Sequence, residues 1–256
     1  MKPITVPSHP HSFATRRAPS TPGRRQFLGS LGLLAAGGWL WPARGFAQQA
    51  EGEPAAENIL DMVRMSHALQ QHQLAGSLRV GNRRERFTLS MEGNMIRFRF
   101  DNPLHVIHLD LDTADFRLRE VIDGNNRVIA TNRHGQAVRQ SDVNFEDLSL
   151  RFLYWSDPEL IDTETINTRR CWKVRVYSPD RDGPYHAVEI WVDQQSGGMM
   201  RLQGYDYDGK MIKRFEVRSG QRVGDAWILR QMRVETFEPG SGRASSRTYL
   251  EIDPPS

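Results

Sequence analysis

The chain has 256 residues, of which 34 are basic, 31 acidic and one a cysteine. Six of the basic residues and none of the acidic ones fall in residues 1–47, which leaves 28 basic against 31 acidic residues in the remainder, a net charge of about −3. The basic excess therefore belongs to the first 47 residues, and nucleic-acid binding loses its main electrostatic support.

Lys2, Arg16, Arg17, Arg24, Arg25 and Arg44 precede or flank an uncharged stretch, residues 26–43, and a small-residue cleavage candidate follows at Gly45-Phe46-Ala47. Residues 1–47 are thus expected to be a cleaved export signal. Arg24-Arg25-Gln26-Phe27-Leu28 resembles the twin-arginine leader, with Gly23 where Ser or Thr is usual and Gly29 where Lys is common. Glycines and Pro42 thin the hydrophobicity of the stretch, which favours a leader over a spanning anchor. Residues 48–56 read as a flexible mature terminus. The following 200 residues, 57–256, are enough to bury one sizeable core, and a single domain is expected there.

From Glu57, Ile59, Leu60, Val63 and Leu69 lie on one helical stripe, so an amphipathic helix opens the domain. Strands are predicted over residues 76–80, 86–91, 95–100, 105–111 and 116–122, with Glu92-Gly93-Asn94 and Asp123-Gly124-Asn125-Asn126 as turns. Residues 142–154 hold Val143, Phe145, Leu148, Leu150, Phe152 and Leu153, a second helical or lid-like segment suited to packing on a sheet. Trp172, Val174 and Val176 then alternate with Lys173 and Arg175, and Val188, Ile190 and Val192 repeat the pattern over residues 186–193. Strands over residues 199–207, 211–218, 226–238 and 244–252 complete a meander, joined by Asp208-Gly209, a polar turn at residues 220–225 and Pro239-Gly240-Ser241-Gly242.

Motifs for chemistry are weak. His105 and His108 fall on opposite faces of a strand, His67 and His72 are five apart on a helix, and Asp110, Asp112 and Asp115 lack the glycine and glutamate of a calcium loop. No metal and no cofactor is expected. No G-x-S-x-G elbow occurs in residues 48–256, and the lone Cys171 beside Trp172 reads as a buried, inert thiol that permits neither an intramolecular disulfide nor a lipoprotein anchor. Glu189 and Asp193 share a strand face and read as solvent-facing charge, with Trp191 on the same outward face. The protein is therefore expected not to be an enzyme. What remains is bulky apolar surface on a curved sheet, and Phe98, Phe100, Trp155, Trp172, Phe215 and Trp227 are the candidate residues of a ligand-binding cavity.

The run Ala187-Val188-Glu189-Ile190-Trp191-Val192-Asp193, with Arg201-Leu202, Tyr207-Asp208-Gly209-Lys210, Trp227-Ile228 and Phe145-Glu146-Asp147-Leu148, resembles the outer-membrane lipoprotein-sorting proteins of the LolA-like superfamily, in an uncharacterised branch. The resemblance implies an α+β, mainly β fold: an incomplete antiparallel β-barrel or curved sheet with covering helices. It implies a periplasmic carrier for lipoproteins or lipid-like hydrophobic ligands, with an inner-membrane transporter or outer-membrane acceptor as candidate partners and a monomeric state. Covering an acyl chain of about 16 carbons at ~0.8 kcal/mol per methylene would supply on the order of 12 kcal/mol. The alternative is an envelope sensor or regulatory module that uses the same fold to bind a lipid or protein signal without transport.

Overall fold

The computed structural model describes residues 53–68, 73–92, 95–110, 117–223 and 226–254. The expected leader, Leu69, His72, Asp112 and Asp115 lie outside the described residues. The first element is a helix, α1 (Ala56–Ala68), with Glu57 in its first turn, where the N-terminal dipole favours negative charge. Ile59, Leu60 and Val63 are fully buried on its inner stripe, and α1 packs against strand β8 (Arg169–Tyr177) and the 3₁₀ turn Arg151–Tyr154.

Six strands follow α1: β1 (Leu74–Val80), β2 (Arg83–Glu92), β3 (Met95–Phe100), β4 (His105–Asp110), β5 (Leu118–Ile122) and β6 (Asn125–Val128). After the middle of the chain come β7 (Glu159–Ile166), β8, β9 (Ala187–Asp193), β10 (Met199–Tyr205), β11 (Met211–Val223), β12 (Ala226–Phe237) and β13 (Ala244–Ile252). All belong to one open sheet of 13 strands in the order 6-5-4-3-2-1-13-12-11-10-9-8-7. Every neighbour in sequence pairs antiparallel except β6 with β7, and the two halves meet where β1 pairs with β13. The strands are amphipathic with period two: Phe98 and Phe100 are buried on one face while Arg99 is exposed on the other.

The two edge strands, β6 and β7, are joined by residues 129–158, whose side chains Ile129, Val138, Val143, Phe145, Leu148 and Phe152 are buried in the core with the sheet's inner face. This segment contains the short helix α2 (Phe145–Ser149), buried at every position. Asn144 and Asp147 form its capping box, each side chain taking the other's backbone N–H at 2.8 Å, and Leu150 ends it in the left-handed conformation. Asp142 anchors the segment to the sheet: its carboxylate accepts hydrogen bonds from Thr248 at 2.7 Å, Thr236 at 2.8 Å and Ser246. At the far side, Arg64 of α1 donates to the Leu153 carbonyl at 2.6 and 2.8 Å.

Several sequence expectations change. Gly220 to Val223 continue β11 instead of forming a turn, because irregularities at Val217, Ser219 and Gly220 reset the register and let the strand go on pairing with β12. Asn125 and Asn126 begin β6 instead of closing a turn, and β7 forms where the sequence pattern predicts no strand. Both are edge strands: β6 is exposed throughout and β7 buries only Ile166, so neither shows apolar alternation. Trp191, Glu189 and Asp193 do share the outer face, yet they are 2%, 1% and 1% exposed. Lys173 and Arg201 lie over the Trp191 ring, whose Nε1 donates to Glu164 at 3.0 Å. Arg175 and Lys173 close over Glu189, and Arg169 over Asp193 at 2.6 Å. Long basic side chains thus cover what strand alternation alone would leave wet.

Candidate functional site

Between the inner face of the sheet and residues 143–152 lies an apolar cavity of about 140 Å³. The inward positions of β1, β2 and β3 (Leu74, Leu89, Ile96, Phe98) form one wall, those of β10 to β13 (Leu202, Phe215, Met232, Leu250 and their neighbours) form the opposite one, and Leu148, Leu150 and Phe152 cover them. Leu89, Ile96, Leu150, Met199, Leu229, Met232 and Leu250 are only half-buried, so the cavity communicates with solvent through aliphatic and thioether side chains. An apolar cavity of about 150 Å³ holds a benzene-sized group. The space seen here therefore fits an acyl segment of about six carbons, and a longer chain requires displacement of those half-buried side chains.

One polar side chain reaches the wall. Asp147 Oδ1 accepts from the Tyr185 hydroxyl at 2.5 Å, and Oδ2 faces the Lys213 ammonium at 3.4 Å while capping α2. Burial raises the Asp147 pKa, an effect that Lys213 and the Tyr185 hydrogen bond oppose. Lys213 also donates to the Asp142 carbonyl, and Asn144 Nδ2 donates to the Tyr185 oxygen at 3.2 Å. Burial, reinforced by Asp147, pushes the Tyr185 pKa well up, so its hydroxyl remains a donor. Gly204 lets the Tyr185 ring in: a Cβ there would stand 2.5 Å from that ring. The network ties β11, α2 and the loop before β9 to one carboxylate, and it fixes the cavity's cover.

The structure brings together two of the six residues expected at the cavity. Phe98 and Phe215 line it. Phe100 is fully buried beside the cavity lining, against Phe87 at 5.8 Å and under the Arg139 guanidinium at 5.1 Å. Trp155 is buried against Phe152 at 6.4 Å. Trp172 is half-buried at the margin of the core, and Trp227 is 70% exposed. Inward parity with Phe98 and Phe215, not aromatic bulk, was the signal that would have found Leu89, Ile96, Leu202, Met232 and Leu250. The Asn144-x-x-Asp147 spacing of a capping box was the signal for the polar network.

This architecture is the LolA-like fold. A structure from Vibrio parahaemolyticus, described as an outer membrane lipoprotein-sorting protein domain, superposes with a TM-score of 0.62 at 15% identity, covering 78% of this chain and 92% of its own. A DUF1329 family protein from Desulfovibrio piger gives 0.59 at 18% identity, with 77% and 91% covered, and a LolA superfamily protein from Nitrosomonas europaea gives 0.59 at 15%, with 79% and 93%. The chain belongs to a family described only as "-like: Uncharacterized protein", whose model matches residues 124–254. No curated protein matches its sequence.

Proposed function

We propose that this protein is a periplasmic, non-catalytic carrier or binding protein that holds an acyl segment of a lipoprotein or lipid-like molecule between its sheet and the segment 143–152. The observation that carries this reading is the cavity wall: of its 17 lining residues every one but Asp147 is apolar. Such a surface gains ~0.8 kcal/mol for each methylene it removes from water. The relative from Vibrio parahaemolyticus is described as a lipoprotein-sorting domain, and residues 1–47 serve in this reading as the export leader. No helix among the described residues is long and apolar enough to cross a membrane.

Competition between a fluorescent fatty acid and unlabelled fatty acids tests the reading. Saturable binding, displaced by chains of increasing length with increasing affinity, is expected. A probe that stays free at micromolar protein, or that binds equally to a variant with Leu202→Trp and Phe215→Trp filling the cavity, would refute it.

A further inference from the structure

The outer face of the sheet carries a second cluster that the cavity does not use. Register places Ser90 opposite Arg97, Arg97 opposite His108, and His108 opposite Arg119, on β2, β3, β4 and β5. Phe98, Ile107, Leu109 and Leu118 are buried on the inner face, so the alternate residues Arg97, His108 and Arg119 point outward. Adjacent strands stand about 4.8 Å apart, which sets the two arginines about 10 Å from one another with the imidazole between them.

Elsewhere on this face the arginines close on carboxylates: Arg214 and Arg247 on Glu235, Arg201 and Arg218 on Glu216, Arg175 on Glu189. Arg97 and Arg119 are half-buried, and among the described residues neither closes on a carboxylate within 4 Å; Arg97 meets only the Met95 sulfur at 3.5 Å. His108 Nδ1 is buried with no hydrogen-bond partner. Burial lowers the His108 pKa, Arg97 and Arg119 lower it further, and Asp110, two residues along the same strand, opposes them weakly. Two guanidiniums about 10 Å apart on one face repel one another, and an anion seated between them offsets that repulsion.

We propose that Arg97, His108 and Arg119, with the Ser90 hydroxyl at the end of the row, form a binding site for a phosphate-type anion on the outer face of the sheet, separate from the cavity. Two guanidinium forks suit the oxygens of a phosphate, and the imidazole supplies a third donor between them. The groups facing His108 are Arg97 from β3, Arg119 from β5 and Asp110 from its own strand, so a bound dianion becomes its nearest strong negative charge. Binding therefore favours the imidazolium and raises the His108 pKa. Free phosphate and a phospholipid headgroup present the same chemistry.

NMR titration of the His108 ring in the whole protein, with and without inorganic phosphate, tests the site. Phosphate is expected to raise the His108 pKa, and Arg97→Gln with Arg119→Gln to weaken phosphate binding by ~10-fold or more, with the thermal midpoint unchanged or higher because repulsion is relieved. Retention on phosphatidylcholine vesicles that contain phosphatidic acid, but not on phosphatidylcholine alone, and competition by phosphate would assign a lipid headgroup. Phosphate binding without vesicle retention would assign the free anion. A His108 pKa that does not move in saturating phosphate, or a double variant that binds phosphate as the wild type does, would overturn the proposal.

Discussion

Phe215→Ala separates a cavity wall from ordinary core. Phe215 is 7% exposed, sits on β11 opposite Val234, and borders the 140 Å³ cavity. Truncating a buried phenylalanine costs ~3–5 kcal/mol, and because one side of this ring already faces open space the cost belongs at the low end, about 3 kcal/mol. A loss of that size lowers the thermal midpoint of a domain this long by about 6–12 °C, which a stable domain survives. The vacated space joins the cavity and accepts about three further methylenes, worth ~2.4 kcal/mol or ~60-fold in affinity. In a series of fatty acids of increasing length, affinity rises with each methylene until the cavity is full and then levels off. The variant's plateau is expected about three carbons later than that of the wild type, measured by displacement of a fluorescent probe. A plateau at the same chain length, with the expected thermal loss, would show that Phe215 is core alone and would refute the reasoning.

Other outcomes follow from the same contacts. Trp227→Ser is expected to change stability by no more than ~0.5 kcal/mol and to leave ligand affinity untouched, since the ring is 70% exposed and off the cavity wall; a fall in affinity would place Trp227 at the site. Burial pushes the Cys171 thiol up to about 11, so a disulfide-exchange reagent should label it slowly in the native protein and rapidly in guanidinium, and equal rates would contradict its burial. Acid should destabilise the fold. Burial raises the pKa values of Glu120, Glu189, Asp193, Glu216 and Glu235, but their hydrogen bonds and ion pairs with arginine outweigh it and leave all five lowered. A carboxylate with a lowered folded-state pKa gives stability that is present above its unfolded value, near 4, and lost as pH falls through the folded one. Asp147, with a raised value, acts in the opposite sense, and five against one makes the urea midpoint fall between about pH 5 and pH 3; a midpoint that holds or rises there would refute the balance.

The second half of the sheet is legible because Val174 and Val176 alternate with Lys173 and Arg175, Val188, Ile190 and Val192 recur at period two, and Gly-rich turns separate the strands. The edges were not: β6 and β7 have little to bury, so their pairing is set by the neighbours β5 and β8 and leaves no apolar period. The site was half legible. Aromatic size selects Phe98 and Phe215, which border the cavity, but it also selects Trp227, whose neighbours Ile228, Met232 and Val234 hold the inward parity and turn it out. Glu189 and Asp193 look solvated in sequence because alternation gives a residue's face and not the arginines, Arg169 and Arg175, that the neighbouring strand β8 lays over it. Asp147 was passed over for a related reason: its role depends on Lys213 and Tyr185, 66 and 38 residues away in the chain.

The claim at the centre is that the space between the sheet and residues 143–152 holds part of an acylated molecule. Purifying the protein from its native cells without detergent and identifying what accompanies it by mass spectrometry tests that directly. The account predicts a stoichiometric lipid or acylated peptide, lost from a variant whose cavity is filled by Leu202→Trp and Phe215→Trp. A protein that is purified with no acyl-bearing molecule, and that binds none when one is supplied, would contradict it.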